Sequence, residues 1–205
     1  IMVAVGTYIT GRYIFRDGFS KAGWSWGKPK HYLAVFSLAI FVWVVPTILE
    51  LALGMRSIPR GVIVPDILGN FLIRFIATLI PAFGEEFGWR GYMLPHLVKQ
   101  YRLRTALLLH AFIWWAWHLP VIVGIGMTEK LTDNVGVSIA IVLVVTIIPS
   151  MMHAMVFAYI WTVTQSLAVA TVYHAAFDEI RDAIETTIGF GPLVEIWQML
   201  TLTII

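Results

Sequence analysis

Seven apolar runs, most of them near the length of a bilayer crossing, leave this chain little choice of fold. They lie at 1–15, 32–54, 65–83, 105–124, 135–159, 161–177 and 190–205. About 20 apolar residues let an α-helix cross a hydrocarbon core. Backbone groups in lipid must be satisfied inside the segment, which favours helices. No alternating strand pattern competes. The sequence therefore predicts an all-α, polytopic membrane bundle of about seven helices around a buried polar site, forming one domain over 1–205. Composition agrees, because only 13% of residues are charged and 59% are hydrophobic, against about 25% charged in soluble domains. The 9 Trp, 7 Tyr and 12 Phe suit interfacial belts as well as packing.

Several function classes fall away. A net charge of +2 gives no case for nucleic acid, and the absence of cysteine removes disulfide and thiolate chemistry. The chain starts at Ile1 rather than Met, so the first run reads as a truncated span, and nothing there resembles a signal-peptide cleavage site. No polar loop separates the fifth and sixth runs, where Pro149 and His153 are the expected turn or kink. The segment 16–30 mixes Arg16, Lys21, Lys28 and Lys30 with Phe19, Trp24 and Trp26. It reads either as an amphipathic stretch on the membrane surface or as an ordinary basic loop. Basic residues crowd the first and third loops, which the positive-inside rule places in the cytoplasm.

Against this apolar background the polar residues stand out: Arg74, Glu85, Glu86, Arg90, His110, His118, His153, His174 and Asp178. Each charge at membrane depth costs about 2.5–3.5 kcal/mol on insertion scales, and such groups usually face a polar cavity. Glu86 and Arg90 are four apart and predict an ion pair on one helix face. Glu85 is rotated by about 100° from that face and stays free for chemistry. Glu85 lies 16 residues before Tyr101 and His118 lies 17 after it. Two antiparallel helices turning there would set both at one height. Gly88, Gly91 and Pro95 argue against an unbroken helix on the glutamate side. His174 and Asp178 are also four apart, so the carboxylate can orient the imidazole or join it in binding metal or water. Glutamate with two histidines is a catalytic zinc ligand set, here Glu85, His118 and His174. The same groups without metal serve general-base activation of water. Arg74 reads as structural, paired with Asp66 or a glutamate. His96 reads as a solvated residue near the membrane surface, and His153 has no evident partner.

Three motifs, Glu85-Glu86-x-x-x-Arg90, Trp114-x-x-x-His118 and His174-x-x-x-Asp178, occur in this order. The chain thereby resembles the CPBP intramembrane proteases, the Abi or CAAX-protease group that includes the type II CAAX prenyl endopeptidase. Two positions depart from the family pattern: Trp114 stands where Phe is usual, and Asp178 where Asn is frequent. The resemblance implies an intramembrane endopeptidase of a bacterial or archaeal cytoplasmic membrane. Its substrate would be a peptide or protein, prenylated in the CAAX-processing case. It implies Glu85 as base for water, Glu86 assisting with Arg90 as structural partner, and Trp114 as support. His118 and His174 would bind a divalent metal, zinc first, or stabilise the oxyanion, and Asp178 would orient His174. Both a metal-dependent and a metal-free glutamate mechanism fit the family.

Two other readings compete. A non-catalytic membrane scaffold or bacteriocin-immunity-type protein would keep the cluster for structure alone. A small transporter would use the acids for protons or cations, although the polar groups form one compact set and no internal repeat is visible.

Overall fold

The computed structural model describes residues 2–62, 64–128, 131–189, 191, 193, 194 and 197. Its regular secondary structure is all helical, with no strand among the described residues. In chain order the helices are α1 (Met2–Ile9), extended by a π-helical turn at Thr10–Ile14, and α2 (Pro29–Ala52). Next come α3 (Val64–Gly88), a π-helical segment at Trp89–Met93, and α4 (Leu94–Gln100), which form one continuous helical stretch. Then follow α5 (Leu103–Trp117), α6 (Leu119–Thr128), α7 (Val135–Thr164) and α8 (Leu167–Thr187).

The apolar runs map onto these helices with instructive differences. By length and composition three helical stretches can cross a membrane, namely 29–52, 67–100 and 135–164, and α5 with α6 makes a fourth if the pair is one span bent by 49°. The third run does not stop near Phe83 but continues through both glutamates to Gln100. Gly88, Gly91 and Pro95 do not break it, because the segment widens into a π-helix. Pro95 then falls on the first turn of α4, where a missing N–H costs least. Pro149 is no turn either and lies inside α7. The true break is at Gln165, which adopts a left-handed conformation (φ 48°), followed by Ser166, whose hydroxyl accepts from Val169 N–H to cap α8. Helix α8 is not apolar enough to count as a span. The 190–205 run falls almost wholly outside the described residues.

Helix α8 is the centre of the bundle and packs against α3, α2 and α7. Its inner face supplies Val169, Tyr173, Ala176, Phe177 and Ile180, which close a core with Val35, Ala39, Val42 and Trp43 of α2 and Val156, Phe157 and Ile160 of α7. The 16–28 segment is an irregular strap, neither helix nor free loop. Leu167 N–H donates to the Gly23 carbonyl (2.8 Å), and the Ser166 hydroxyl donates to the Ser25 carbonyl. Gly91 makes the close approach beneath this strap. A Cβ there would lie 2.7 Å from Leu167 Cδ1 and 3.1 Å from the Ala22 carbonyl oxygen. Strap, α4 and the α7–α8 junction therefore meet at one end of the bundle. Trp24 and Trp26 remain exposed there, as interfacial residues would.

Candidate active site

The site is built where α3 and its π-helical continuation face α8. Glu86 and Arg90 are fully buried. Arg90 Nη1 donates to Glu86 Oε1 at 2.9 Å, which is the i, i+4 pair read from the sequence. Across the helix interface His174 Nδ1 donates to the same oxygen at 2.8 Å. His174 Nε2 faces Asp178 Oδ2 at 3.3 Å, one turn further along α8. A buried ion pair is a weak stabiliser, but losing one partner strands the other's charge. Glu86 takes two donors on Oε1, while Oε2 is buried without a hydrogen-bond partner among the described residues.

Aromatic rings wall the pair. The Arg90 guanidinium lies 4.3 Å from the Phe157 ring centroid and 5.7 Å from that of Trp114. Trp114 is in turn 4.2 Å, centroid to centroid, from His118. His118 caps α5 at the bend into α6, and its Nδ1 lies 2.7 Å from the Trp114 carbonyl. A carbonyl only accepts, so Nδ1 carries a proton, and in the neutral ring Nε2 keeps a lone pair.

Glu86, Arg90, His174 and Asp178 thus form one connected set, with Trp114 and His118 joined to it through ring contacts. Glu85 is half-buried beside the set and makes no hydrogen bond or ion pair among the described residues. No hydrogen bond links it to His118. Helix α5 packs chiefly on α4 and α7, whereas α3 packs on α8 and α1. The facing pair of the expected hairpin is therefore α4 and α5, with Glu85 one element further back.

Among the described residues no three His, Asp or Glu side chains are grouped to hold a metal ion. Both ring nitrogens of His174 face carboxylate oxygens, so neither offers a lone pair. The residues as arranged do not form the Glu85, His118 and His174 ligand set.

The remaining polar residues take specific places in the bundle, and the glutamate expected for Arg74 is Glu179. His153 is wedged between Phe177 (4.0 Å), Phe157 (4.7 Å), Trp114 (6.0 Å) and Tyr173 (6.3 Å), all centroid distances. Its Nε2 and the Tyr173 hydroxyl are buried without a hydrogen-bond partner among the described residues. His110 is fully buried and lies beside the Trp89 carbonyl without a well-formed hydrogen bond. Arg74 pairs with Glu179 and Asp182 of α8, both at 2.9 Å. Arg181 lies 3.6 Å from Asp178 and 2.7 Å from Asp182. The i, i+3 spacing of Asp178 and Arg181 was the available signal. His96 is not simply solvated. Its Nε2 meets Asp17 of the strap, and Nδ1 lies 2.7 Å from the Tyr92 carbonyl.

A family model described as type II CAAX prenyl endopeptidase Rce1-like matches residues 67–180, a stretch that holds all three motifs. The chain belongs to this family. It is a multi-pass membrane protein by its long apolar helices and its family. One similar curated protein, CAAX prenyl protease 2 of Methanococcus maripaludis, is 38% identical over 53 residues. That match covers 26% of this chain and only 20% of the relative's length.

Proposed function

We propose that the chain is an intramembrane endopeptidase of the CAAX-processing type, which cleaves a peptide bond with water activated by Glu85. The observation that carries this reading is the division between the two adjacent glutamates. Glu86 is fully buried and its Oε1 is held by Arg90 and His174, with Oε2 enclosed without a partner among the described residues. Glu85, by contrast, is half-buried, has no hydrogen-bond partner among the described residues and keeps its lone pairs within reach of water. A base must be unengaged to take a proton from water. Glu85 would take that proton as the oxygen attacks the scissile carbonyl, and would pass it to the leaving amine. His118 Nε2, a free acceptor, would orient the same water. His174 would donate to the developing oxyanion. Of its two contacts, the 3.3 Å one to Asp178 is the looser, and a substrate oxygen would displace it first. Glu86 and Arg90 would keep His174 aimed throughout.

No step is routed through a metal, because the donors do not converge as a ligand set. A prenylated CAAX peptide is the substrate proposed from the family and from the relative's name. The scaffold alternative predicts that well-folded Glu85→Gln and His118→Ala proteins keep full biological function. The test is hydrolysis of prenylated and unprenylated CAAX reporters by purified protein in detergent, with metal content measured on the same sample. Cleavage of the prenylated reporter, retained after chelation, supports the reading. Absence of cleavage of either reporter refutes it. Stoichiometric metal that is lost in both Glu85→Ala and His118→Ala would replace the metal-free step.

A further inference from the structure

Beyond the site, α3 and α8 share a ladder of charges. Along it Arg90, His174, Arg181 and Arg74 alternate with Glu86, Asp178, Asp182 and Glu179. The ladder begins at a fully buried pair, runs out to the half-exposed Arg74, and ends at the buried Glu179, to which Thr78 donates at 2.5 Å. Arg181 occupies its middle rung. Nε of Arg181 donates to Asp182 Oδ1 at 2.8 Å, and Nη2 pairs with the same oxygen at 2.7 Å. The other Asp182 oxygen is fixed by Arg74 from α3 at 2.9 Å. Arg181 is therefore clamped, and the clamp leaves Nη1 directed at Asp178 Oδ1, 3.6 Å away. Asp178 meets Arg181 with one oxygen and His174 with the other.

We propose that Arg181 is a positioning residue that balances the Asp178 carboxylate, so that Asp178 orients His174 without drawing it off Glu86. Two carboxylates compete for one imidazole here, and at low dielectric an unbalanced Asp178 would pull the ring along α8. Arg181 removes that pull by sharing the Asp178 charge. The Asp178→Asn change would remove the need for balance: an amide oxygen still accepts from His174 Nε2 and carries no charge. Arg181 is thus required beside the native carboxylate and dispensable in the Asp178→Asn protein. This inference rests on the proteolytic reading for its catalytic consequence, but not for the residue coupling itself.

The experiment is a double-mutant cycle on the full chain in detergent, with Arg181→Gln, Asp178→Asn and both together. Reporter hydrolysis and thermal unfolding are read on each protein. Arg181→Gln is expected to lower kcat about tenfold, within the range that coupled neighbours show, with KM within about twofold. In the Asp178→Asn background the same change is expected to leave kcat at the Asp178→Asn level. An equal fall in both backgrounds, or an effect on KM alone, overturns the proposal. If the wild type cleaves no reporter, the proteolytic reading has failed and the melts still decide. A Tm loss on Arg181→Gln that vanishes in Asp178→Asn supports the coupling, and an equal loss in both overturns it.

Discussion

His174 Nδ1 donates to Glu86 Oε1 at 2.8 Å and so ties the centre of α8 to the end of α3. This single contact joins the first and third motifs, which lie 88 residues apart in sequence. It also fixes which glutamate is occupied. Losing the His174 ring would leave Glu86 with Arg90 as its only donor among the described residues, in a fully buried setting.

The approach beneath the strap gives a stability prediction. Gly91→Val would drive new atoms into Leu167 and the Ala22 carbonyl. Overpacking of this kind costs about 1–3 kcal/mol. Thermal unfolding in detergent should show a clear fall in Tm, and an unchanged Tm would mean that strap and α8 separate freely.

His153 gives a prediction of opposite sign. Its Nε2 is buried inside four aromatic rings without a hydrogen-bond partner among the described residues. A stranded polar atom costs about 1–3 kcal/mol, and an apolar replacement of similar shape relieves it. His153→Phe should therefore raise Tm by about 2–4 °C, the shift expected for roughly 1 kcal/mol in a chain of this size. A fall of similar size would show that the imidazole has a required partner.

Acid sensitivity is expected at the strap. The hydrogen bond from His96 holds the Asp17 carboxyl below the usual carboxylate range, with Tyr92 adding to the effect against some desolvation. A depressed carboxyl stabilises the fold above its unfolded pKa, and that contribution is lost as pH falls through the folded value. Tm measured from neutral to about pH 3 should fall more steeply in wild type than in Asp17→Asn. Parallel curves would show that the latch contributes nothing.

Much of this arrangement is written in the sequence, for identifiable reasons. Apolar run length gave α2 and α7, and i, i+4 spacing gave the Glu86–Arg90 and His174–Asp178 pairs, because both are local properties of a helix. The continuity through Pro95 was hidden, since a π-helical segment leaves no signature that distinguishes it from a break. The run bounds put the α7–α8 junction near 160, a few residues before the break at Gln165 and the capping Ser166, because no polar loop marks it and Pro149 offers a competing turn signal inside α7. The Glu86–His174 bond, the cage around His153 and the Arg74 contacts depend on how α3, α7 and α8 meet. No local spacing encodes that.

The role of Glu85 is tested most directly by reporter hydrolysis with purified wild type and Glu85→Ala, both shown to be folded by their melting curves. The wild type should cleave, and Glu85→Ala should lose about 10²–10⁴-fold in kcat, as removal of a general base does. Wild-type cleavage that persists in Glu85→Ala would contradict the assignment.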